Sequence, residues 1–159
     1  MEFENMGDTI PGPEAYMAAP AALQLRSRGQ SPTGSFGFPV ATLFGHLKHP
    51  NNWEPSWQVW WTNHMKFILE REEEIRGQHT EQNAKLVDEY MFKVLPRYLG
   101  PLEIGSCSIQ PTLCHTDLWP GNVKVRTDGS TIVFDANALW AHSEGSVTFV
   151  LNLRALLIK

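Results

Sequence analysis

The segment CHTDLWPGNVKV, residues 114–125, followed by RTDGS and then TIVFD, leaves this chain few ways to fold. The period-two alternation of NVKV and the β-branched run TIVFD predict two short strands, and Asp128-Gly129 between them is a strong tight-turn signal. The pair reads as a hairpin, entered from a third strand, PTLCH, through a polar loop. A hairpin closed at Asp128-Gly129 returns Asp135, at the end of TIVFD, to the side of Asn122, at the start of NVKV. Any fold of this chain therefore brings His115, Asp117 and Asn122 of the loop close to Asp135.

Singly, each of these residues has an ordinary structural use. His115 can be a packed core histidine, Asp117 a turn cap, Asn122 a loop residue satisfying backbone groups, and Asp135 a strand terminator. Together they fit phosphoryl transfer. That reaction needs a carboxylate to orient and deprotonate the attacking hydroxyl, and oxygen ligands that hold magnesium against nucleotide phosphates. The Asp-x-x-x-x-Asn spacing of Asp117 and Asn122, with Asp135 one hairpin later, resembles the catalytic loop of kinases. Gly121 is expected to let the backbone turn tightly before Asn122.

The remaining sequence reads as helices with little texture before them. Residues 1–35 carry Pro11, Pro13 and Pro20 and are expected to be poorly structured, with two helical turns at most over residues 21–28. A short extended piece is expected around Val40. A helix is predicted to start near NNWEP, capped by Asn51 or Asn52 with Pro55 in its first turn, and to end at Gly77. Trp57, Trp60, Trp61, His64, Met65 and Ile68 recur on its face at three- and four-residue steps, which marks core packing. A second helix is predicted over residues 80–98, with Leu86, Val87, Tyr90, Met91, Val94, Leu95 and Tyr98 as its apolar face and a kink at Pro96.

Composition narrows the partners. With 159 residues, 42% of them hydrophobic and 19% charged, the chain suits one α+β domain with a real core. A net charge of -4 with no Lys/Arg run gives no attraction to nucleic acid or to an anionic membrane. The apolar run at 147–158 contains Asn152 and Arg154 and falls short of the roughly 20 residues that a span requires. MEFENMGDTI lacks the apolar core of a secretory signal, and Cys107 and Cys114 form no Cys-x-x-Cys pair and are expected to be reduced thiols. A soluble cytoplasmic monomer is the expectation.

The local motif is more specific than a generic kinase loop. HTDLWPGN followed by VFDANALWAHSE resembles the fructosamine kinase (ketosamine 3-kinase) family, whose motif reads His-Gly-Asp-Leu-Trp-x-Gly-Asn, then Phe/Tyr-Asp-Pro, then Gly-His-x-Glu. GQSPTGSFGFPVATLFG and NNWEPSWQVWW look like the same family in the same order, so the resemblance covers residues 25–144. It implies a protein-kinase-like fold, ATP and Mg2+ as cofactors, and a ketosamine on a glycated protein lysine as substrate, phosphorylated at the sugar 3-hydroxyl. By the same resemblance Asp117 is the catalytic base, His115 braces the loop, and Asn122 and Asp135 hold metal and phosphate, while Trp119, His142 and Glu144 shape the site.

Two departures stand out: Thr116 where the motif has Gly, and Asp-Ala-Asn where it has Asp-Pro. If the backbone at 116 requires positive φ, Thr116 will be strained there. No Gly-x-Gly-x-x-Gly or Val-Ala-x-Lys occurs in the 159 residues. The expectation is therefore a kinase C-lobe at 36–145 with the N-lobe missing and a divergent tail at 146–159. One alternative is an inactive kinase-like remnant that acts as a binding module. Another, a zinc hydrolase built on His115, Asp117 and His142, lacks a second histidine pair at helical spacing.

Overall fold

A computed structural model describes residues 4–44, 47–105 and 108–145. In chain order these form α1 (Pro13–Ser27), β1 (Thr42–Phe44), β2 (Leu47–His49), α2 (Trp57–Arg76), α3 (Glu81–Glu89), α4 (Leu95–Leu99), β3 (Thr112–Cys114), β4 (Val123–Val125), β5 (Thr131–Val133) and β6 (Leu139–Ala141). The strands make three antiparallel pairs, β1 with β2, β3 with β6 and β4 with β5. The α+β character read from the sequence is correct, and the hairpin forms with Val123 opposite Val133 and Val125 opposite Thr131. Residues 146–159, expected as a divergent tail, and Cys107 lie outside the described residues.

The tryptophan helix organises the core. Trp57, Trp60, Trp61, His64 and Ile68 of α2 are buried, and Phe36, Leu95, Cys114, Leu139 and Ala141 close the same cluster. Trp57 and Trp60 stack with ring centroids 5.2 Å apart and planes 2° from parallel. Such a pair adds about 0.5–1.5 kcal/mol beyond the area it buries. The helix ends at Gly77 as predicted, with φ 88° and its N–H bonded to the Glu73 carbonyl.

Its start differs from expectation. Ser56, not Asn51 or Asn52, caps the helix, its Oγ accepting from the Val59 N–H at 3.1 Å. The same hydroxyl donates to Glu103 at 2.8 Å, and the other Glu103 oxygen accepts from the Gln58 N–H at 2.8 Å. A remote carboxylate thus completes the cap and meets the positive end of the helix dipole. Asn51 is occupied elsewhere: its amide donates to the Val40 carbonyl and Thr42 Oγ1, and its Oδ1 faces His49 Nδ1 at 3.0 Å.

The helix expected over residues 80–98 forms as one helical run over residues 81–99, with a change of register inside it. Thr80 caps α3, and a π-turn at Tyr90–Val94 precedes α4, with the Leu95 N–H reaching the Tyr90 carbonyl. The π-turn changes the hydrogen-bond register just where Pro96 has no N–H to give, so the proline is absorbed by widening the turn. Only Leu95 of the predicted apolar face is fully buried; Leu86, Val94 and Tyr98 are exposed.

The largest correction concerns residues 1–35, expected to be poorly structured. Pro13 starts α1, where its missing N–H goes unmissed, and the helix runs through Pro20 to Ser27. Tertiary bonds hold it in place. Ser27 Oγ donates to the Leu23 carbonyl and accepts from the Leu113 N–H of β3 at 2.8 Å, and α1 packs on β3 and β5. Ahead of α1 the chain runs along β4: the Gly7 N–H bonds to the Val125 carbonyl at 2.9 Å, and Glu4 pairs with Arg126 at 3.1 Å.

Candidate active site

Strand β3 ends at Cys114, which pairs with Leu139 of β6; the loop that follows carries His115, Thr116, Asp117 and Asn122, and the β5–β6 segment carries Asp135 and Asn137. His115 is 3% exposed and points its Nε2 at the Phe134 carbonyl, 2.8 Å away. A carbonyl only accepts, so the ring hydrogen sits on Nε2, and Nδ1 accepts from the Asp117 N–H at 3.3 Å. Both ring nitrogens of His115 are thereby engaged, Nε2 with residue 134 just past β5 and Nδ1 with the Asp117 amide inside the loop.

Asn122 is the hub. It is 4% exposed, follows a 3-10 turn at Pro120–Asn122, and bonds to both flanking segments. Its Nδ2 donates to the Asp117 carbonyl at 2.9 Å and to Asp117 Oδ2 at 3.2 Å, and reaches the Asp135 carbonyl at 3.5 Å. Its backbone accepts from the Phe134 N–H at 3.1 Å, which extends the hairpin by one rung. One buried amide thus connects the two acidic residues that sequence spacing had put together. With Nδ2 so committed, the carbonyl oxygen of the Asn122 side chain faces no protein donor among the described residues. Asp117 is half-buried and Asp135 exposed, so both carboxylates reach solvent from the same loop end. Oxygen donors from Asn122 and Asp135 match the hard-ligand preference of magnesium, which normally completes its shell with water and phosphate. Among the described residues no group of three or more His, Cys, Asp or Glu is placed to hold a metal by itself.

The backbone here is bent into an unusual shape. Thr116 has φ 48° and Asp135 φ 54°, and no other described non-glycine residue has positive φ. The strain anticipated for Thr116 is therefore present. Its side chain is 2% exposed, and Oγ1 donates to the Asn137 carbonyl beyond Asp135. Asn137 itself is buried with both amide atoms unpartnered. This cross-tie was not foreseen; the only hint in the sequence was that both residues sit where the chain departs from the motif.

Gly121 is required, but not for φ. A Cβ there would lie 2.3 Å from two ring atoms of Trp119, so the half-buried indole lies flat on the glycine. Trp119 thus shapes the loop from beneath. His142 and Glu144 do not join this group. They follow β6 beyond the end where Ala141 pairs with Thr112, away from the Cys114–Leu139 end that feeds the loop. There the Glu144 N–H bonds to His142 Nδ1 at 3.4 Å, the His142 ring leans on Trp57, and Gln24 of α1 donates to the Ser143 carbonyl. Burial pushes the His142 pKa down, with nearby Glu144 opposing.

Residues 14–153 match the fructosamine kinase family model. The chain belongs to the fructosamine kinase family. It is 29% identical over 109 residues to the ketosamine-3-kinase of Mus musculus, covering 69% of this chain and 33% of that protein. The chloroplastic protein-ribulosamine 3-kinase of Oryza sativa subsp. indica is 27% identical over 112 residues, covering 69% of this chain and 30% of the relative. A crystal structure from Thermobifida fusca, of a protein assigned to the fructosamine-3-kinases, superposes with a TM-score of 0.63 at 25% identity, over 95% of this chain and 48% of that one. The chain thus spans about a third of these curated relatives and about half of the solved structure. The family match begins inside α1, in the segment expected to be unstructured. No helix among the described residues is long and apolar enough to cross a membrane.

Proposed function

We propose that this chain carries the loop-bearing lobe of a protein-kinase-like fold and serves ATP-dependent phosphorylation of the 3-hydroxyl of ketosamines on protein lysines. The observation that carries the reading is the Asn122 amide, bonded at once to the Asp117 carbonyl, the Asp117 carboxylate and the Asp135 carbonyl. Asp117 stands with Oδ2 bonded to that amide and Oδ1 without a hydrogen-bond partner among the described residues, an arrangement suited to accept the proton of a sugar hydroxyl. As the proton passes to Asp117, the hydroxyl oxygen bonds to the γ-phosphorus, and the bond from phosphorus to the β,γ-bridging oxygen breaks to release ADP. Asn122 Oδ1 and the Asp135 carboxylate would hold magnesium, which supplies neutralisation of phosphate charge. His115 keeps Asp117 in place through Nδ1 and ties the loop to Phe134. The reading extends to a cytoplasmic monomer acting on glycated proteins, with no nucleic acid or membrane partner.

The test is phosphorylation of a ribulosamine- or fructosamine-bearing lysine peptide by the purified chain with Mg-ATP, followed by mass spectrometry. A gain of one phosphate on the sugar, abolished in Asp117→Asn with an unchanged melting curve, is the expected result. No product, together with no magnesium-dependent nucleotide binding, would overturn the reading for this chain.

A further inference from the structure

The segment between β5 and β6 has few attachments. Between Phe134 and Leu139, its described hydrogen bonds are the Asn122 contact to the Asp135 carbonyl, at 3.5 Å the limit of such a bond, and the Thr116 hydroxyl on the Asn137 carbonyl. The Asn137 side chain contributes nothing, since neither amide atom has a partner. Asp135 itself is exposed and strained at φ 54°. Without a further hold, this carboxylate would be free to swing away from Asn122.

The geometry points to Thr116 as the positioning residue of the site. Its buried hydroxyl ties the Asp117 loop to the Asp135 loop and so sets the separation of the two carboxylates. The assignment rests on the phosphotransfer reading for what those carboxylates do, although the tie itself does not. Two features support it. Thr116 precedes Asp117 directly, and the hydroxyl's acceptor, the Asn137 carbonyl, lies two residues past Asp135, so one bond spans both acids. Thr116 also occupies a left-handed conformation that glycine would take without strain, and in compensation it supplies a bond that glycine cannot make. Where the family motif has Gly, this chain gives up backbone ease for a cross-link.

Three variants separate the possibilities: Thr116→Ser keeps the hydroxyl, Thr116→Val keeps the branched shape without it, and Thr116→Gly removes both bond and strain. Magnesium dependence of ATP binding is read by calorimetry, and the hold on the segment by NMR-detected exchange of the Phe134 amide, which borders it and is bonded to the Asn122 carbonyl. Loss of one buried hydrogen bond is expected to weaken magnesium-dependent binding about tenfold in Thr116→Val and Thr116→Gly, with Thr116→Ser within about twofold of wild type. Exchange of the Phe134 amide should quicken in the same two variants and stay slow in Thr116→Ser. Equal binding and exchange in the Val and Ser variants would overturn the assignment. If wild type itself binds no Mg-ATP, the kinase reading fails, and the exchange comparison alone decides the tie: faster exchange in Val than in Ser upholds it, and equal exchange overturns it.

Discussion

Acid should unfold this chain through two buried histidines outside the β3–β4 loop. His49 at the end of β2 and His64 on α2 are 1% and 5% exposed and hydrogen-bonded to each other, His64 Nδ1 to His49 Nε2. The Asn51 amide donates to Val40 and Thr42, so its Oδ1 must accept from His49 Nδ1–H. His49 Nε2 then accepts from His64, and both rings are held neutral. Burial lowers both pKa values below the ordinary histidine value, His64 well below, with the charge of His49 adding to the shift. A folded pKa below the unfolded one means the unfolded chain binds protons first. The pair's stabilisation is therefore whole above about pH 6.5 and lost as pH falls beneath it. Each histidine that stays neutral in the fold costs at most about 1.4 kcal/mol per pH unit below its unfolded value. Domains are stable by only about 5–15 kcal/mol in all, and at this size each 1 kcal/mol lost lowers Tm by about 2–4 °C. His142 acts in the same direction, while the lowered pKa of Asp128 matters only at more acid pH. The assay is urea unfolding from pH 7.5 to 5, with proton uptake taken from the slope. Proton uptake on unfolding should rise as pH falls below about 6.5 in wild type, and His64→Leu, which puts an apolar group of similar size among Trp60 and Trp61, should lower it by up to one proton. A flat profile in wild type, or an unchanged slope in His64→Leu, would refute the reasoning.

Gly121→Ala should drive the Trp119 indole off its seat, because the new methyl would sit 2.3 Å from the ring. A loss of about 1–3 kcal/mol in urea unfolding and a red-shifted tryptophan emission are expected, and an unperturbed melt with native emission would contradict the packing. Asn137→Leu removes a buried amide that makes no hydrogen bond while leaving the carbonyl that Thr116 uses. Thermal unfolding should show a neutral or stabilising change, by up to about 1–3 kcal/mol, whereas clear destabilisation would mean that the amide is satisfied.

What the sequence made legible was local. The β4–β5 hairpin is specified by Asp128-Gly129 and two alternating strands, and the juxtaposition of Asn122 with Asp135 follows from that turn alone. The buried face of α2 is equally local, written in the spacing of its tryptophans. What stayed hidden depends on distant partners. Strand β6 is three residues paired with β3, more than twenty positions upstream, and bridged at Trp140 to Gly37, still further upstream, so ALWAH gave no sign of being a strand. Ser56 outcompetes Asn52 as a cap because Glu103 arrives from another element to share it. Helix α1 was obscured by its own prolines, which read as breakers until β3 is present to hold Ser27.

The same distinction explains why the loop could be recognised while its Thr116 could not be understood from the motif alone. A threonine at a glycine position reads as damage, since the branched side chain resists positive φ. The structure shows that the position does need positive φ, at 48°, and that the residue is nonetheless buried and bonded. Left-handed threonine costs about 1–2 kcal/mol, and a buried hydroxyl bond returns about 0.5–1.5 kcal/mol, so the two nearly offset one another. A substitution close to neutral in stability can still alter geometry, because the strain acts within one residue while the bond acts between two loops. The only two described non-glycine residues with positive φ are Thr116 and Asp135, one beside each carboxylate loop that the bond connects. In the phosphotransfer reading, the strain at Thr116 and Asp135 lies where Asp117, Asn122 and Asp135 meet, and the bonds of His115 and Thr116 hold the backbone there.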